Sequence, residues 1–99
     1  MGDHWRKKDE IQAKIEDLRD RIRRAVAGIE CINEKIETLQ EQYDPSRGKA
    51  DKQNKRILTE LQLQQRNIAN NKLTIDRANA EIRACENNIW KLDRTLGNF

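Results

Sequence analysis

Proline occurs once, at position 45, and only four of the 99 residues are aromatic. Because proline breaks helices from within, a single one leaves nearly all of the chain free to be helical. Four aromatics and 37% charged residues argue against a wide globular core. No apolar run approaches the roughly 20 residues that a membrane-spanning helix needs. Histidine occurs once and cysteine twice, as His4, Cys31 and Cys85. That set cannot complete a tetrahedral zinc site within one chain or form a Cys–His nucleophile pair. Neither sign of charge dominates: 20 basic and 17 acidic residues are interspersed, for a net charge of +3. Nucleic acid is therefore permitted as a partner rather than indicated. The opening MGDHWRKKDE is too polar for a signal peptide, and Arg6 breaks the myristoylation pattern after Gly2. The expected location is intracellular, cytoplasmic by default.

What the chain does have is two seven-residue repeats. Ile15, Ile22, Ile29 and Ile36 recur in the first half, and Ile68, Ile75, Ile82 and Ile89 in the second. With Ile15 as heptad position a, the d positions are Ile11, Leu18, Ala25, Ile32 and Leu39. In the second half the a positions run from Asn54 and Leu61 to Leu96. The d positions there are Ile57, Gln64, Asn71, Ala78, Cys85, Leu92 and Phe99. Apolar residues alternating every four and three positions are the signature of a coiled coil. The heptad phase changes between the halves, and Asp44-Pro45-Ser46-Arg47-Gly48 interrupts the pattern. Proline drives the preceding residue out of the α region, and glycine permits a reversal.

The predicted fold is all-α: one domain over 1–99, an antiparallel two-helix coiled-coil hairpin assembling into a four-helix bundle. The first helix is expected over about 3–43, with Asp3 as N-cap, the turn over about 44–50 and the second helix over about 51–96. Either Asp44 with Pro45 at N1, or Asp51, can start the second helix. Gly97 is a natural stop. Two registers compete. Pairs whose numbers add to 100 place Leu18 opposite Ile82 and the small Ala78 opposite Ile22. Pairs adding to 93 shorten the loop but set Lys8 against Cys85. Basic g positions of helix 1, such as Lys14 and Lys35, are expected to face Glu60 and Glu81, favouring the antiparallel arrangement.

No catalytic, cofactor-binding or metal residue emerges, and an enzyme is not expected. Carboxylate pairs such as Glu16 and Asp17 read as ordinary surface charge. Gln64 and Asn71 are consecutive polar d positions that could fix the register, because a buried amide without a partner is costly. The plainer reading is a two-helix seam wet enough to tolerate them. In the hairpin, Cys31 and Cys85 sit roughly 24 Å apart along the helix, at 1.5 Å per residue. A disulfide needs Cα atoms within about 7 Å. Cys85 reads as a small core residue.

Several apolar residues fall off the seam: Trp5, Leu58, Ala69, Leu73, Ala80, Ala84 and Trp90. Four of them, Ala69, Leu73, Ala80 and Ala84, form a thin second stripe that would let another helix approach. Scattered surface aliphatics are the plain alternative. Trp5 and Trp90 are the preferred anchors, tryptophan being enriched at binding hot spots. The tip carries Arg47, Lys49, Lys52, Lys55 and Arg56, a basic group able to meet phosphates, although no aromatic is interleaved for base stacking. The expected function is protein–protein interaction, as an adaptor, assembly subunit or small inhibitor, with a second copy or another helical protein as partner. The alternative is a nucleic-acid-binding arm that uses the basic tip. The connector lacks the Trp-x-Gly turn of small secreted hairpins, and no family resemblance is assigned.

Overall fold

The computed structural model describes the backbone of residues 2–95 and the side chains of residues 5–95. Helix α1 spans Gly2–Gln42 and helix α2 spans Lys52–Thr95, with a short 3₁₀ turn, Pro45–Arg47, between them. The architecture is an all-α helical hairpin, and the described residues contain no strand. Neither helix is long and apolar enough to cross a membrane. Because α1 already includes Gly2, Asp3 lies inside the helix rather than at its N-cap. Leu96, Gly97 and Phe99 lie outside the described residues, as does the side chain of His4.

The break follows from local chemistry. Tyr43 still closes a helical hydrogen bond, its N–H donating to the Leu39 carbonyl at 3.1 Å. Asp44 is then extended, at φ −118° and ψ 105°, as a residue before proline prefers. Gly48 takes φ 84°, a conformation that suits glycine and strains residues with a β-carbon.

The chain forms two compact units, Met1–Arg24 with Thr74–Phe99, and Ala25–Leu73. In the first, Ile15, Leu18, Ala78, Ile82 and Cys85 form the buried core, and Ile11, Ile22 and Ile89 pack against it. All eight are a or d positions. Leu18 and Ala78 are the most enclosed, at 3% and 2% exposure. The register is fixed by a polar contact next to this core. Lys8 occupies an a position, and its ammonium donates to Asp93 at 2.8 Å. The register adding to 93 would have placed Lys8 opposite Cys85, which instead belongs to the core; the contacts follow the register adding to about 100.

In the second unit, Ala25, Ile57, Asn54 and Gln64 are buried. The remaining aliphatic seam residues, Ile29, Ile32, Ile36, Leu39, Leu61 and Ile68, are only half-buried. Two helices enclose a seam one side chain wide and leave its flanks open. The expected pairing of basic and acidic g positions does not form among the described residues. The ion pairs there are Lys8–Asp93, Arg19–Glu16, Arg23–Asp20 and Arg47–Asp51. Exposed long side chains gain little from pairing, so the edge positions stay solvated.

Leu18→Ala removes a side chain from the centre of the first unit's core and is expected to cost about 2–5 kcal/mol. Glu37→Ala, at an exposed position, is expected to move stability by less than about 0.5 kcal/mol. Urea melts followed by circular dichroism would compare them, and equal midpoints would contradict the core described above.

Candidate functional site

Where the chain reverses, the polar groups of the turn converge on one buried side chain. Asn54 is fully enclosed, at 0% exposure. Its amide nitrogen donates to the carbonyls of Asp44 at 2.7 Å and Gly48 at 3.0 Å. Its amide oxygen accepts from the Asp44 N–H at 3.3 Å. The side chain thus satisfies backbone groups that the break in helical pairing leaves open. Both sequence-level candidates for a cap are used, at different starts. Asp44 caps the 3₁₀ turn, accepting from the Ser46 N–H at 3.0 Å and the Ser46 hydroxyl at 2.6 Å. Asp51 caps α2, accepting from the Asn54 N–H at 3.0 Å. The two bonds from Ser46, first that from its hydroxyl, hold the Asp44 carboxyl below its ordinary value of 3.8.

This network changes the meaning of the basic tip. Arg47 donates to the Gln42 carbonyl at 2.8 Å and to the Gln53 side chain at 3.2 Å, and lies 3.9 Å from Asp51. It therefore braces the turn. Lys49, Lys52, Lys55 and Arg56 remain exposed. The start of α2, where unpaired N–H groups would attract an anion, is already capped by Asp51.

The polar seam positions divide. Gln64 is buried, but its amide donates to Glu60 on its own helix at 2.8 Å, which by itself selects no pairing with α1. Asn71 reaches across: its amide lies over Gly28, where a β-carbon would stand 3.6 Å from Nδ2. None of the buried side-chain nitrogens and oxygens among the described residues lacks a hydrogen-bond partner.

All seven proposed interface residues are exposed. Trp5, Ala80, Ala84 and Trp90 belong to the first unit, and Leu58, Ala69 and Leu73 to the second. Trp5 is 53% exposed and Trp90 49%. Each tryptophan has a cation of its own chain against it: Lys8 at 5.8 Å from the Trp5 ring centre and Arg94 at 4.7 Å from that of Trp90. Such contacts restrict the rings while leaving apolar surface open. An open groove in the first unit is lined by Ile15, Ile89 and Trp90 together with Glu16, Arg19 and Glu86. In the second unit a groove runs past Cys31, Lys35, Leu39, Glu60 and Gln64. Both cysteines are free thiols, Cys31 exposed and Cys85 buried. Among the described residues no three His, Cys, Asp or Glu side chains are grouped to hold a metal ion.

Sequence reasoning counted Asn54 only as a seam position and did not foresee the contact between Lys8 and Asp93. The available signal for Asn54 was its place three residues after Asp51, the spacing of a capping box, where an amide can return to the preceding turn. No protein-family profile, curated protein or solved structure matches the chain.

Asn54→Ala would leave the Asp44 and Gly48 carbonyls without this partner and is expected to lower stability by about 1–3 kcal/mol. Asp44 supplies a pH test. A depressed carboxyl contributes stability that is present above its ordinary value of 3.8 and is lost as pH falls through its lower folded value. An NMR titration of the Asp44 carboxyl is expected to give a midpoint below 3.8, and a midpoint above that value would contradict the cap.

Proposed function

We propose that the protein is a helix-bundle interaction module, binding a second copy of itself or another helical protein along the flanks of the hairpin. The observation that carries this reading is incomplete burial. Most of the aliphatic seam in the second unit is half-buried, and large apolar side chains stand exposed, among them Trp90 at 49%, Leu73 at 46% and Leu63 at 45%. Adding helices to a two-helix seam removes this surface from water, at about 25 cal/mol per Å². The arrangement offers extended apolar flanks in place of an enclosed pocket, which suits a partner helix rather than a small substrate. The reading in which the tip binds nucleic acid has less support, because Arg47 and the start of α2 are engaged within the turn.

Sedimentation equilibrium would test the self-associating form. The chain is expected to exceed its monomer mass of 11.7 kDa below about 100 µM, the range in which interfaces worth roughly 6–8 kcal/mol associate. Trp90→Ala is expected to weaken that association while leaving the helical signal intact. A purely monomeric chain over this range would refute the self-associating form. A nucleic-acid affinity falling steeply with salt would favour the tip instead.

A further inference from the structure

We infer that the second copy docks through α2 of the first unit, antiparallel to its counterpart, about a two-fold axis between Ala84 and Cys85. The inference rests on the self-association proposed above and names its face and register. Along this part of α2, Asn79, Arg83, Glu86 and Trp90 are all exposed and follow one another at spacings of four, three and four. That spacing aligns them on one flank of the helix. Glu86 and Trp90 from this row also line the groove that runs over Ile15 and Ile89.

The charges of the row choose the partner. Arg83 and Glu86 have opposite sign, are three residues apart, and have no ion-pair or hydrogen-bond partner among the described residues. In a two-fold contact, each residue that meets a second is met by it in return. Antiparallel helices crossing between positions 84 and 85 place Arg83 opposite Glu86 of the second copy, and Glu86 opposite its Arg83. Two identical ion pairs then flank the axis. A parallel pairing in register would set Arg83 against Arg83 and Glu86 against Glu86, which like-charge repulsion opposes. In the antiparallel register Trp90 comes opposite Asn79 of the second copy. Asp93 comes opposite Asp76, but its charge is already met by Lys8 at 2.8 Å.

Charge reversal in the full chain tests this arrangement. Arg83→Glu and Glu86→Arg each turn two attractions into two repulsions and are expected to raise the dimer Kd about tenfold or more. The double variant restores both attractions and is expected to dimerise within about threefold of the wild type. Mixing the two single variants is expected to give a heterodimer tighter than either homodimer, because each supplies the charges that the other lacks. Sedimentation equilibrium reads all four cases, and circular dichroism checks that each variant keeps its helices. Single variants that dimerise like the wild type, or a double variant no better than the singles, would overturn this register while leaving self-association standing. A wild-type chain that stays monomeric would overturn both.

Discussion

Every part of this hairpin depends on a seam that is one side chain deep. Two helices without a third layer can bury only the row of residues that each turns toward the other. The heptad spacing puts the apolar residues of each helix on one row. Where large and small residues share the row, as at Leu18, Ile82 and Ala78, it closes and side chains fall below 10% exposure. Elsewhere the aliphatics remain half in water. The same constraint that makes the fold simple leaves apolar surface uncovered, and this surface motivates the interaction reading.

The seam alone does not stop slippage. A shift of one heptad would keep most aliphatic residues facing aliphatic residues, so specificity has to come from unlike groups. Lys8 supplies it at one end, because its ammonium at a seam position needs a carboxylate and finds Asp93. In the second unit, Asn54 does related work by holding the backbone on both sides of Pro45. Neither group adds much apolar burial. Both make one arrangement better than its neighbours, which is the best-attested use of polar groups in helical seams.

The fold was legible in the sequence because a heptad pattern is redundant: the loss of any one isoleucine would leave the period readable. The break was legible because Pro45 and Gly48 act locally. The turn network was not, because Asn54 differs from an ordinary polar seam residue only once the carbonyls of Asp44 and Gly48 are placed around it. The contacts of Arg47 were hidden for the same reason. Composition counts it as one more cation at a basic tip, whereas it stays exposed and also donates to the Gln42 carbonyl and the Gln53 side chain. The expected edge pairing with Glu60 does not form among the described residues; Glu60 accepts instead from Gln64 on its own helix. The off-seam apolar residues are exposed, since nothing in a two-helix fold reaches them.

The placement of the aromatic side chains gives the molecule a built-in pair of optical reporters. Both tryptophans, Trp5 and Trp90, belong to the unit that holds the Ile15–Ile82 core, while the single tyrosine, Tyr43, belongs to the unit that carries the turn. Excitation at the red edge, which selects indole, follows the first unit alone. The phenol band of Tyr43, next to the Asp44–Asn54 network, follows the second. A hairpin that opened first in the unit of the turn and one that opened first in the unit of the Ile15–Ile82 core would therefore differ in colour as well as in rate, without a label being attached.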